Sequence, residues 1–319
     1  MSTKFQFIIA PTLWERKDKK LKKVEIRALQ IVFDVLTYYH AKEIKKRARR
    51  KEEFSMKLMK RITALSLAAL TALSLAACSG DQSGKQTVYA VEAGSAGEEV
   101  AKANGYQIVS VDSQAKALME VNSGTADAAI IDLLMAGAMV GEGTSYPDIK
   151  VTDQKLNSEE YGVGCRKGSD LAAYINAVLS EAWADGTMVE VAKTYGVQEA
   201  LLEQPAADYP AADAAGDVAY IQNKGTLVVG ITDFAPMDYE EVPGSGEWIG
   251  FDADLAKLVA DKLGVKVQFV VISWDRKVDE LDGKTIDVVW NGMTLTEGVK
   301  AAMECTNPYC ENAQVVVKK

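Results

Sequence analysis

Two kinds of hydrophobic spacing alternate along residues 87–319. Short apolar runs at Thr87–Val91, Gln107–Val111 and Ala128–Ile131 predict strands. Between them, Ala96–Asn104, Gln114–Val121 and Leu133–Val140 repeat their apolar positions every three to four residues and predict helices. Tyr161–Cys165 adds a further strand, and strands alternating with helices predict a largely parallel sheet covered on both faces. Residues 170–202 read as helical throughout. Leu171, Ile175, Val178 and Leu179 share one face, Asp185 and Gly186 mark a stop, and a second helix over Met188–Tyr195 ends at Gly196. Gln204–Asp213, rich in Pro, Ala and Asp, reads as a linker. A second α/β pattern fills 217–319, with strands at Leu227–Ile231, Lys266–Ile272, Ile286–Trp290 and Ala313–Val317. Its helix Phe251–Leu263 carries Leu255, Leu258, Val259 and Leu263 on one face and is stopped by Gly264. The fold class is therefore α/β, as two units with a cleft between them, a usual place for a small-molecule site.

Composition changes this picture little: 319 residues suffice for about two domains, with 48% apolar and 25% charged residues. Charge changes it more. Residues 1–55 hold 15 Lys and Arg against 7 Asp and Glu, whereas residues 78–319 hold 18 against 38, a net of −20. A body this acidic repels phosphate backbones, so nucleic acid is not an expected partner. The cysteines Cys78, Cys165, Cys305 and Cys310 have no CxxC spacing, and His40 lies outside the acidic body. No zinc site and no cofactor are expected. Cys165 reads as a packed strand residue.

Residues 56–77 explain the switch in charge. Lys57, Lys60 and Arg61 precede the uncharged, Ala/Leu-rich run Ile62–Ala72, and small residues follow, as in a secretory signal peptide. The run is short for a membrane span, which needs about 20 residues. Leu75-Ala76-Ala77-Cys78 resembles a bacterial lipobox, which implies cleavage before Cys78, lipidation of its thiol and a tether over 78–86. Residues 1–55 then read as an upstream extension ahead of a true start at Met56. Lys51-Glu52-Glu53 can be encoded AAG GAG GAA, a ribosome-binding sequence a few nucleotides before that codon. The competing reading is a basic, partner-binding helix around Val24–Tyr39.

Specific motifs carry a family resemblance. Gly225–Thr232 (GTLVVGIT), Phe234–Met237 (FAPM), Gly250–Ala256 (GFDADLA), Trp290–Thr296 (WNGMTLT) and Asn307–Tyr309 (NPY) together resemble the first lobe of polar amino-acid-binding proteins, family 3 of the extracellular solute-binding proteins. Val91–Gly97 (VEAGSAG), Asp127–Asp132 (DAAIID) and Glu160–Gly168 (EYGVGCRKG) resemble the second lobe, and Asp170–Tyr195 resembles the family's closing helices. The resemblance implies a two-lobe type II periplasmic-binding-protein fold with its lobes in permuted order. Here the second lobe (87–165) and closing helices (166–203) come first, and a linker (204–216) leads to the first lobe (217–319). Truncation of a longer tandem protein at Lys319 and misassembly of two genes are competing explanations of that order. Permutation would place the new ends, near Gln86 and Lys319, where the chain crosses between lobes, and so cut one of two hinge strands. Cutting a hinge strand would loosen closure and weaken affinity relative to a chain in family order.

A free amino acid needs partners for a carboxylate, an ammonium and a side chain. Gly94–Gly97, a small-residue turn between a strand and a helix, offers backbone N–H groups to a carboxylate, with Ala96 in the turn and Ser95 as a further donor or as a simple helix cap. From the family, Asp132 is expected on the ligand's ammonium, with N-capping as its alternative. Phe234 and Trp274 match ring-stacking positions, with core packing the alternative for Phe234, while Gly292 and Thr294 match positions that bond the carboxylate and ammonium. The family's first lobe commonly carries an Arg five residues after that Thr, forming a bidentate pair with the carboxylate; this chain has Val299, with Lys300 adjacent and Arg276 beside Trp274. Glu92 occupies a position that can face the ligand. These changes favour a cationic or carboxylate-poor solute, such as a basic amino acid or amine; alternatively Asn291 and the Ser95 turn hold the carboxylate alone. Cys305 and Cys310 flank a turn and could form a disulfide in an exported protein, or remain buried thiols.

The resemblance thus implies a monomeric, lipid-anchored binding protein on the outer face of the cell membrane, delivering an amino acid or amine to an ABC permease. A dehydratase-like enzyme on the same fold is the alternative, with Glu92 and Asp132 as its acid/base groups.

Overall fold

The computed structural model describes residues 86–319. The signal segment, the Met56 start, Cys78 and the basic extension lie outside the described residues.

The strands in chain order are β1 (Val88–Glu92), β2 (Gln107–Val111), β3 (Ala128–Asp132), β4 (Lys150–Lys155), β5 (Glu159–Tyr161), β6 (Gly164–Cys165) and β7 (Thr226–Ile231). They continue as β8 (Tyr239–Glu240), β9 (Trp248–Ile249), β10 (Lys266–Val271), β11 (Val288–Val289), β12 (Glu304–Cys305), β13 (Cys310–Asn312) and β14 (Gln314–Lys318). Two five-stranded sheets result, ordered β2-β1-β3-β14-β4 and β10-β7-β11-β6-β12. In each sheet one strand runs against its neighbours: β14 is antiparallel to β3 and β4, and β6 is antiparallel to β11 and β12. Both of these reversed strands enter directly from the ribbon β5/β13, where Tyr161 faces Cys310 and Glu159 faces Asn312.

The chain therefore passes from the first sheet through β5 into the second, and returns through β13 to finish in the first. This corrects two sequence expectations. Both crossings are intact, so no hinge strand is cut, and β1 and β14 lie in one sheet rather than at a crossing. Gln314–Lys318, assigned by its apolar pattern to the 217–319 lobe, pairs instead with Ala129–Asp132 of the other. Its alternation looks alike whichever sheet receives it, because period-2 spacing identifies a strand and not its partner.

The helices are α1 (Ala96–Ala103), α2 (Gln114–Ser123), α3 (Leu133–Met139), α4 (Leu171–Ala184), α5 (Thr187–Tyr195), α6 (Asp217–Lys224), α7 (Phe251–Leu263), α8 (Lys277–Asp282) and α9 (Glu297–Ala302). α4 and α5 pack on α7. Tyr174 donates its hydroxyl to the Lys262 carbonyl at 2.9 Å, and Tyr195 donates to Asp254 at 2.7 Å. The core holds Trp290, Tyr161, Tyr309 and Phe251, each fully buried, with Tyr309 touching the other three rings. Beside it Arg166 pairs with Asp217 at 2.9 Å, and Lys224 pairs with buried Asp287 at 2.6 Å, tying β6 and α6 to the second sheet.

Cys165, Cys305 and Cys310 are free thiols. The bridge between Cys305 and Cys310 is not formed, because the two residues enter different sheets. Cys305 pairs with Gly164 on β6, and Cys310 pairs with Tyr161 in the ribbon. No helix among the described residues is long and apolar enough to cross a membrane.

Candidate functional site

Strand ends and the turns after them define a cavity of about 160 Å³ between the sheets. One water needs some 10–15 Å³, so this is room for on the order of ten heavy atoms. From one lobe it is lined by Glu92, Gly94–Ala96, Gln114, Asp132 and Gln314, and from the other by Trp274, Lys277, Asn291–Thr294 and Val299. Eight of the nine expected ligand residues thus meet at one place. Phe234 does not: it is buried behind Gly292 with its ring edge-on to Tyr161 at 6.3 Å, the apolar-core role.

The turn after β1 is largely satisfied by its own helix. Ser95 caps α1, its Oγ accepting from the Glu98 N–H at 3.1 Å, and Glu98 accepts the Gly94 N–H at 2.9 Å. Ser-x-x-Glu is a capping arrangement that places a protein carboxylate against the helix N-terminus, where a solute carboxylate was expected. The Ser95 hydroxyl proton and the Ala96 N–H, which has no acceptor within the helix, remain as donors toward the cavity.

Asp132 opens α3 but makes no capping bond. Its carboxyl accepts from the side-chain amides of Gln114, Asn312 and Gln314, the last at 2.7 Å. Asn312 and Gln314 also donate to Glu159 at 2.7 and 2.8 Å. Burial, then the Glu159 charge beside it, pushes Asp132 well above the ordinary carboxylate range.

On the opposite wall the Asn291 amide is fully used. Its oxygen accepts from the Thr232 N–H and hydroxyl at 3.0 and 2.7 Å, and its nitrogen donates to the Thr232 carbonyl and Asp238. Gly292 donates its N–H to Asp252 at 2.6 Å. Neither group is free for a carboxylate, so the loop serves as a shaped floor, with Thr294 half-buried at its edge. Asp238 and Asp252 lie fully buried beneath it. Burial raises Asp252 to about 7, and burial together with the Asp252 charge raises Asp238 well above its usual range.

Lys277 is the cation that sequence reasoning missed. Its ammonium donates to the Gly94 carbonyl across the cleft at 2.9 Å and to the Trp274 carbonyl at 3.1 Å, and lies 4.9 Å from the Trp274 ring centre. Arg276 and Lys300, the residues singled out near the missing Arg, are exposed and lie near Asp279 and Glu297. Position three after Trp274, on the first turn of α8, was the available signal. Gln114 and Gln314 were also missed, since an amide on a helix or strand has no spacing signature. No group of three or more His, Cys, Asp or Glu side chains among the described residues is placed to hold a metal.

Glu92, Asp132, Asp238 and Asp252 all hold their protons more tightly folded than unfolded. A raised carboxyl stabilises fully below its unfolded pKa, near about 4, and that stabilisation is lost as pH climbs through the folded value. The solute-free protein is therefore expected to melt at a higher temperature at pH 5.5 than at pH 8.5, by scanning calorimetry. A melting temperature that rises over this interval would contradict protonated carboxyls at these four positions.

Residues 227–319 match the family model for bacterial extracellular solute-binding proteins, family 3. The chain is 32% identical over 101 residues to the L-cystine-binding protein TcyJ of Escherichia coli (strain K12), covering 31% of this chain and 37% of that protein. It is 34% identical over 107 residues to a probable histidine-binding protein of Neisseria gonorrhoeae, covering 33% and 38%. The chain thus spans well under half the length of these curated relatives, which are named as binding proteins. Among solved structures, an ancestral cationic amino acid solute-binding protein (AncCDT-1) shares 39% identity over 27% of this chain and 37% of that one, with a TM-score of 0.26.

Proposed function

Because residues 227–319 are those of a family 3 solute-binding protein, we propose that the chain binds one small polar solute of amino-acid type and delivers it to an ABC-type permease outside the cytoplasm. The observation that carries this reading is the cavity itself. Both lobes wall it, Gly94 of one lies against Asp275 of the other, and Lys277 bonds across the cleft, so a solute there would be enclosed by closure. On this reading the protein is exported through the signal at 56–77, is held at the membrane by a lipid on Cys78 and acts as a monomer. The lobe order is read as a permutation of the family's, and the two crossings through β5 and β13 support that. The protein is read as a binder and not an enzyme, since Asp132, one of the two acids considered for acid/base work, is held by three side-chain amides.

The test is a thermal-shift screen of the full-length chain in detergent against amino acids, amines and short peptides. A selective rise in melting temperature with one solute class is expected, about 3 kcal/mol of stabilisation at a hundredfold excess over Kd. Conversion of a bound solute to product would overturn the binding-protein reading.

A further inference from the structure

Resting on the reading that this cavity binds a solute, we infer that the solute carries a positive charge and that Glu92 releases a proton to solvent as that charge enters. Glu92 ends β1 at the cavity wall, is 3% exposed, and has one carboxyl oxygen, Oε1, with no hydrogen-bond partner. An acceptor left unfilled in a buried site is costly unless a guest fills it.

The other buried charged groups lining the cavity are already engaged. Asp132 accepts from the side-chain amides of Gln114, Asn312 and Gln314. Lys277, from α8, is spent on two carbonyls, with Glu92, Glu99 and Asp275 as the carboxyls around it. Gln114 and Thr232, both uncharged, approach the Glu92 carboxyl within side-chain hydrogen-bonding reach, and Oε1 is the oxygen left unfilled. Glu92 is therefore the buried acid of this lining with capacity left over, and Trp274, with Lys277 over its ring, lines the same cavity. An ammonium or guanidinium can donate to that oxygen. A solute carboxylate finds two neutral donors at Ser95 and Ala96, an apolar wall at Val299 and a lysine already bonded to two carbonyls, and so meets no cation free to pair with it among the described lining residues.

The proton follows from charge balance. Burial holds the vacant Glu92 carboxyl up to about 8, so at neutral pH it is mostly the acid. A cation entering beside it favours the carboxylate: the O–H bond breaks, the proton leaves to solvent, the solute's charge replaces it, and the net charge of the cavity does not change.

The experiment is isothermal titration of the full-length chain in detergent with L-arginine, L-lysine and agmatine, and with L-glutamine and L-glutamate, at pH 6, 7 and 8. Each titration is run in two buffers of different ionisation heat, on the parent and on Glu92→Gln. Expected is affinity for at least one cation rising about tenfold per pH unit from pH 6 to 7 and levelling near 8. One proton should be released per solute bound. Glu92→Gln should keep a cooperative melt and lose both the slope and the proton. A cation bound with no proton release, or with an unchanged slope in Glu92→Gln, overturns the inference. Tightest binding of L-glutamine or L-glutamate also overturns it while leaving the binding-protein reading standing. Silence from all five probes counts against both.

Discussion

Alanine at Gly94 is expected to weaken solute binding by roughly tenfold to a hundredfold while the protein still folds. Gly94 has φ +73°, and a Cβ there would lie 2.5 Å from the Asp275 Cα of the opposing lobe, inside any real contact. Backbone cannot step aside as a flexible side-chain tip can, so the clash is relieved by parting the lobes. Once they part, what remains is the strain of a left-handed alanine, about 1 kcal/mol. Apparent affinity falls with the fraction of molecules able to close, so a closure penalty of about 1.4–2.8 kcal/mol gives the stated range. Parting the lobes also breaks the bond from Lys277 to the Gly94 carbonyl. Calorimetric titration with the solute found by screening, beside a melt of the same sample, separates the two effects. Parental affinity in Gly94→Ala would mean that this turn and the Asp275 segment do not abut when solute is bound.

The largest effect on stability is expected at Val317. Its side chain is fully buried on β14, which lies between β3 and β4, and it faces Ala129 and Val151 in register. A carboxylate there has no cation opposite it, and burying it unpaired costs several kcal/mol, a large part of the roughly 5–15 kcal/mol that holds a domain folded. Val317→Asp should abolish cooperative melting at neutral pH. Val317→Ala, which only loses apolar contact, should cost about 2 kcal/mol and lower the melting temperature by roughly 4–8 °C. A Val317→Asp protein that melts like the parent would show that β14 is not a sheet member.

That strand marks where sequence reasoning stopped. Elements with strong local signatures were legible to within a residue or two. The apolar runs of β1, β2, β3 and β7 and the one-faced helix α7 with its Gly264 stop are examples. β4 was not, since Lys150–Lys155 (KVTDQK) lies at a sheet edge with almost every side chain exposed and shows no apolar alternation. Tyr161–Cys165 read as one strand and is two, because Gly162 packs against Leu295 where the chain turns from ribbon to sheet. At the site, residues tied to a motif came together: Glu92, Ser95, Asp132, Trp274 and Thr294 all line the cavity. Hydrogen-bond allocation was not legible. That Glu98 occupies the N-terminus of α1, that Asn291 is saturated, and that Lys277 reaches across the cleft follow from tertiary geometry.

The return of the chain into its first sheet also makes that sheet the sole mechanical load path. A force applied between β1 and β14 passes only through β3, the strand that pairs with both. The other sheet, strung as a long excursion between β5 and β13, carries none of it until those strands peel apart. A pulling experiment should therefore rupture the β1–β3 pairing first, two register pairs against four for β3–β14, with the second lobe still folded. A dye pair on β1 and β3 would register the rupture and stay blind to the opening of the cleft.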